Sequence, residues 1–248
     1  ALRRAAAAAG RRAALGGVEL RVAWRIRFAG TAGQEDAEAL LSAAAAPGLL
    51  LRRERDGAGA AASALLARRD GAPFPPPIGT APPSGGPDER KAVAFRFCDA
   101  VGMRLGVGRG SVSANSAGAT LPLRRRPDGL GWASEPPLGE DASALTARPD
   151  AAALIAKLPP VTDPAAFLEL VYTALDAAQT LGLAVMIDGP AAPAEAAIPR
   201  ARATPTPGGL ALSVAAAPGE VDPLLDAALK AARARGLTPV AADLAIGD

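Results

Sequence analysis

The chain contains no histidine and a single cysteine, Cys98. Without histidine there is no Ser-His-Asp or Cys-His nucleophile system and no imidazole zinc site. The side chain whose ordinary pKa suits proton transfer at neutral pH is also missing. One cysteine cannot build a Cys-x-x-Cys redox or metal site. Any chemistry must therefore come from carboxylates, lysines, arginines or backbone dipoles. No EF-hand spacing or dense acidic cluster is present, so neither a metal nor a cofactor is expected.

Several fragments carry residue types that bind or react. Gly106, Gly108, Arg109, Gly110 and Ser111 form a glycine-spaced run whose backbone amides could cradle an anion. A phosphate loop also needs a helix to follow and a Gly-Lys-Ser/Thr ending, and neither is evident, so a tight turn is the simpler reading. Arg21, Arg25 and Arg27 share one face of a strand. With Arg124, Arg125 and Arg126 they would make a basic face for phosphate or nucleic acid. Cys98 has Arg96 and Asp99 as neighbours, and an adjacent arginine lowers a thiol pKa. A packed, inert thiol is the reading favoured for a free cysteine. Asp188 ends a strand and precedes Gly189-Pro190, a place for a catalytic carboxylate or, more simply, for turn chemistry. The Ala177-Ala178 and Ala231-Ala232 pairs permit close helix approach.

These residues need elements to position them. Val18 to Phe28 alternates apolar and polar residues with a clean period of two, which predicts a strand with one covered face. Thr31 and Gln34 match a capping box, and a helix follows over Gln34–Ala46 with Ala37, Leu40, Leu41 and Ala44 on one side. Leu49–Arg55 and Ala62–Arg69 read as a hairpin across Asp56-Gly57-Ala58-Gly59. The proline-rich stretch 72–87 reads as an extended loop or linker, with a polyproline docking segment as the minority reading. Lys91–Asp99 reads as a strand from the alternation of Val93, Phe95 and Phe97. The Gly-spaced segment Val101–Leu123 predicts short strands and turns, and Trp132–Pro149 a loop.

From Asp150 a regular grammar appears twice: an Asp-Pro cap, an amphipathic helix, Gly-Leu, then a strand. It runs from Asp163-Pro164 to Gly182-Leu183 and again from Asp222-Pro223 to Gly236-Leu237. The predicted architecture is therefore α+β, with a ferredoxin-like β-α-β-β-α-β sandwich over 150–248. The region 18–149 reads as a mixed α/β domain with hairpins, open to reading as a degenerate second copy, and 1–17 as a basic Ala/Arg-rich segment.

Charge supports that division. Residues 150–248 carry six basic against eleven acidic side chains, a net of −5; the whole chain has +2, so the rest carries +7. Half the residues are hydrophobic but only 3% are aromatic, so the cores rest on Leu, Val, Ile and Ala. No apolar run is long enough to span a membrane. A cytoplasmic location is expected, with an organelle matrix as the alternative given the Arg- and Ala-rich start. Taken together, the sequence predicts a non-catalytic binding, accessory or assembly protein acting through protein–protein contacts, with a protein partner or a homo-oligomer. The alternatives are an enzyme with a carboxylate- or lysine-based or subunit-shared site, and nucleic-acid docking of the rRNA type by the basic N-terminal half.

Overall fold

A computed structural model describes residues 21–29, 33–45, 48–55, 61–67, 73–74, 83, 85–108, 110–129, 131–134, 143–193, 198–216 and 218–247. In chain order the elements are β1 (Arg21–Ala29), α1 (Gln34–Ala44), β2 (Leu50–Arg55), β3 (Ala61–Leu66), α2 (Pro87–Arg104), β4 (Ser113–Ala114) and β5 (Ala119–Pro122). They continue with β6 (Arg124–Arg125), β7 (Trp132–Ala133), β8 (Ala144–Pro149), β9 (Leu154–Lys157), α3 (Pro164–Thr180) and β10 (Val185–Asp188). β11 (Arg200–Thr206), β12 (Gly209–Ala216), α4 (Pro218–Ala234) and β13 (Thr238–Gly247) complete the chain. The protein is thus α+β, with mostly antiparallel strands.

The chain divides into two compact units, one of residues 1–74 with 194–248, the other of residues 75–193. In the first, the strands lie in the order β13-β1-β12-β11-β3-β2, every pair antiparallel. Ile26, Phe28, Leu65, Ala201, Ala203, Leu210, Leu212 and Val214 form the apolar face of this sheet. Against it lie Ala37, Leu40, Leu41 and Ala44 of α1 and Leu225, Ala228, Ala231 and Ala232 of α4. The α1 stripe is the one its periodicity predicts. Its start differs: Gly33 is the N-cap, and Asp36 Oδ2 accepts the Gly33 amide at 2.8 Å. Gln34 turns instead to Ser63 Oγ at 3.0 Å, and Thr31 lies outside the described residues.

In the second unit the order is β10-β9-β8-β5-β4, antiparallel except for the parallel β9–β10 pair that α3 connects. β6 and β7 form a separate hairpin. Asp163 caps α3 as expected, its carboxylate accepting the amides of Ala165 at 3.1 Å and Ala166 at 3.3 Å. Gly182, at φ +65°, ends that helix: Gly182 N–H donates to Gln179 O and Leu183 N–H to Ala178 O. The same Schellman pairing ends α4 at Gly236-Leu237. The repeated Gly-Leu signal is a helix stop in both places.

Four further expectations are corrected. Lys91–Asp99 is the middle of α2, and Ala94, Phe97, Cys98 and Val101 are its buried stripe, while Phe95 is exposed. Gly86, Pro87 and Glu89 supply the helix start, with Glu89 Oε2 accepting the Gly86 amide at 2.9 Å. Part of the expected loop Trp132–Pro149 is strand, β7 and β8. The ferredoxin-like sandwich over 150–248 does not form as one unit. β9-α3-β10 belongs to the second unit, whereas β11, β12, α4 and β13 belong to the first, where β12 and β13 both pair with β1. Two β-α-β signals in succession specify two local units, and only distant strand pairing decides which strands each lies beside. α4 also starts at Pro218, so Asp222-Pro223 lies inside the helix. The segment 1–17, most of the stretch 72–87 and the Asp56–Gly59 turn lie outside the described residues.

Cys98 is fully buried on α2, and that burial pushes its thiol pKa from an ordinary 9.0 up to about 12, with the backbone of Ala147 pulling slightly the other way. The folded protein thus holds the thiol proton to higher pH than the unfolded chain. Its stabilising contribution is complete below pH 9 and is lost as pH rises from 9 toward about 12. Native protein at pH 8 is expected to resist iodoacetamide, with full labelling once urea unfolds it. Stoichiometric labelling of the native state would contradict the burial.

Candidate functional site

Strand alternation in the first unit sends successive side chains to opposite faces. Since Ile26 and Phe28 face the helices, Arg25 and Arg27 stand on the other face, and both are exposed. Register carries this face across the sheet. Arg25 lies opposite Asp243 on one side and Ser213 on the other. Ser213 lies opposite Arg202, Arg202 opposite Ala64, and Ala64 opposite Arg52. One row therefore reads Asp243, Arg25, Ser213, Arg202, Ala64, Arg52. The row two residues along places Arg27, Ala211 and Thr204 side by side, and the row on the other flank holds Arg200.

Arginines come from alternate strands, β1, β11 and β2, while β12 and β3 between them contribute Ala211, Ser213, Ala62 and Ala64. The short side chains of β12 thus lie between the arginine-bearing strands β1 and β11, a candidate trough with β12 as its floor. Two strand spacings set its width at about 10 Å. Arg25 and Arg27 are exposed, and Arg200, Arg202, Thr204, Ala211 and Ser213 are half-buried.

Beside Arg202, across β3, sits a buried charge cluster. Glu54 Oε2 is 3.7 Å from Arg202 Nε, and Glu54 Oε1 is 3.8 Å from Arg52 Nε. The Arg52 and Glu54 side chains are both fully buried. The Glu54 carboxylate stands within ion-pair distance of two guanidiniums, on the same face of the sheet as Arg202. On the helix-facing side of the same strand, Arg53 pairs with Glu38 of α1 at 2.8 Å.

The residues singled out from sequence are divided between the units. Arg25 and Arg27 belong to this face; the side chain of Arg21 is outside the described residues. Arg124, Arg125 and Arg126 belong to the second unit. There Arg125 binds Glu169 at 2.8 Å and lies 5.4 Å from the centre of the Trp132 ring, while Trp132 Nε1 donates to the same carboxylate at 3.1 Å. Arg126 Nε donates to Trp132 O at 3.1 Å. Those contacts fasten the β6–β7 hairpin to α3.

The glycine run follows a helix. Gly106, at φ +71°, donates to Met103 O, and Val107 donates to Gly102 O at 2.8 Å, so these amides cap α2. Ser111 Oγ donates to Gly108 O at 2.9 Å, and Arg109 is outside the described residues. Asp188 is buried at the end of β10, opposite Lys157 in register, and Asp188 Oδ1 accepts the Gly189 amide at 2.7 Å, as turn chemistry requires. Sequence reading missed Arg52, Glu54, Arg200 and Arg202. The one signal was the alternation Arg200-Ala201-Arg202-Ala203.

Among the described residues no group of three or more Asp, Glu or Cys side chains could hold a metal ion, and no helix is long and apolar enough to cross a membrane. A protein-family model described as "Putative amidoligase enzyme (DUF2126)" matches residues 133–237, less than half of the chain. The matched segment runs from β7 through α4 and includes Arg200, Arg202 and Ser213 of the trough. No curated protein and no solved structure matches the chain. The family match points to an enzyme and overturns the expectation of a non-catalytic accessory or assembly protein. The lack of histidine had weighed toward that expectation, yet it excludes only mechanisms that need imidazole.

Proposed function

We propose that this chain is an enzyme that joins a carboxylate to an amine, with the arginine face of the first unit holding the carboxylate-bearing substrate. The observation that carries the reading is the register row that brings Arg25 and Arg202 to the two walls of one trough, inside a chain whose matched family is described as an amidoligase.

A carboxylate does not acylate an amine at neutral pH, because hydroxide or oxide is too poor a leaving group. A nucleoside triphosphate supplies the activation: the carboxylate oxygen attacks the terminal phosphoryl group, and the diphosphate leaves. The amine then attacks the acyl carbon, the C–O bond to phosphate breaks, and the amine gives up a proton. Both steps move negative charge onto oxygen. Arg25, Arg27 and Arg202 supply donors for it, with the fork geometry that suits carboxylate and phosphate alike. Glu54 positions Arg202 and balances its charge when the trough is empty.

The test is hydroxamate formation from a panel of carboxylic acids with a nucleoside triphosphate and hydroxylamine, with phosphate release followed in parallel. Wild-type protein is expected to release phosphate only when acid and amine are both present. Arg202→Ala should lower turnover at least about tenfold and Arg202→Lys by less, because lysine keeps the charge and loses the fork. Turnover by Arg202→Ala equal to wild type would remove the trough from the reaction. No hydroxamate from any acid would remove the ligase reading.

A further inference from the structure

The layout of the trough also indicates what lies in it. We propose that it binds an extended acidic peptide segment, with carboxylates at alternating positions, running along β12. The proposal rests on the ligase reading only for what happens to the carboxylate, not for the binding itself.

The rows are the argument. Successive rows on this face are two residues apart along each strand, about 6.6–6.8 Å. The first holds Arg27 and Thr204, the second Arg25 and Arg202, the third Arg200. An extended peptide repeats the side chains of one face at the same interval, because it is itself a strand. Glu or Asp at every second position therefore meets one row after another, while Ser213 and the small Ala211 leave room for its backbone between the walls. Asp243, opposite Arg25 on the outer side, repels an anion from β13 and confines the ligand to the β1–β11 interval.

Other anions fit less well. The phosphates of a triphosphate sit too close together to reach three rows, so that group would engage one row. The described residues of this face include no aromatic side chain on which a nucleobase could stack, which single-stranded nucleic acid requires.

The experiment is fluorescence anisotropy on the full chain with a labelled peptide alternating Glu and Ser. Competitors are a peptide of the same composition with its Glu residues in one block, inorganic tripolyphosphate, and a single-stranded RNA. The alternating peptide is expected to bind about tenfold more tightly than the block peptide, and to weaken as salt rises. Arg25→Ala and Arg202→Ala should each weaken it about tenfold, Arg25→Lys less, and Arg124→Ala not at all. Equal binding of the block peptide, displacement by tripolyphosphate or RNA at lower concentration, or no binding would each overturn the proposal. Hydroxamate synthesis from small acids without peptide binding would sink this inference and leave the ligase reading standing. Peptide binding without amide synthesis would do the reverse.

Discussion

Glu54→Ala is expected to destabilise the first unit by about 3–5 kcal/mol, the range for breaking a buried ion pair by removing one partner. Glu54 is completely buried, with its two carboxylate oxygens 3.8 Å from Arg52 and 3.7 Å from Arg202. Removing it leaves two positive charges facing each other across β3, one of them fully buried, without this carboxylate between them. Desolvation of a guanidinium is tolerable only while the counter-charge stands nearby. Glu54→Gln keeps the shape and loses the charge, so it should also destabilise. The double variant Arg52→Met/Glu54→Leu should recover most of the loss, because apolar residues of similar size replace buried ion pairs at little cost. Urea denaturation followed by circular dichroism reads all three. A Glu54→Ala midpoint within error of wild type would mean that water already solvates the cluster. The double variant also separates roles: if it folds well yet loses hydroxamate synthesis, the cluster positions Arg202 for function.

Gly118→Ala is expected to cost about 3 kcal/mol or more in the second unit, since a Cβ at this position would fall inside the carbonyl oxygen of Ala147. That carbonyl belongs to β8, the neighbour of β5, and backbone cannot yield as a flexible side chain can. The turn is also fixed from the other side. Asn115 Oδ1 accepts the amides of Ala117 at 2.9 Å and Gly118 at 2.8 Å, and Asn115 N–H donates to Gly118 O at 2.9 Å. Neither strand can move without losing ladder or turn hydrogen bonds. Thermal unfolding would show a clear drop for Gly118→Ala and little change for Gly129→Ala beyond the cost of its own φ of +71°, where no neighbouring atom lies in the way. Comparable stability of wild type and Gly118→Ala would show that β5 and β8 can separate locally.

Much of the local structure was legible because it depends on neighbours in sequence. The α1 stripe, the Asp163 cap and the two Gly-Leu helix stops all follow from residues within a turn or two. α2 was misread because Val93, Phe95 and Phe97 alternate while Ala94, Phe97, Cys98 and Val101 also satisfy a helix. Phe97 belongs to both patterns, and only the Gly86-Pro87-Glu89 start decides between them. At the site, Arg25 and Arg27 declared a charged face through period two. Arg202 and Arg52 could not be joined to them, because the pairing that aligns them links residues 25, 213, 202, 64 and 52 across the length of the chain. Register of that range is set by packing against α1 and α4, and no local pattern encodes it.

The discontinuity of the first unit has a consequence for synthesis on the ribosome. β1 emerges well before both of its ladder partners, β12 and β13, which lie beyond residue 208. The second unit, residues 75–193, leaves the exit tunnel in one piece before they do, and can complete its own sheet first. Until the C-terminal strands arrive, nascent β1 presents two open hydrogen-bonding edges and an apolar side, the combination that invites aggregation. Capture of β1 by a chaperone during that interval would shield both edges until β12 and β13 arrive.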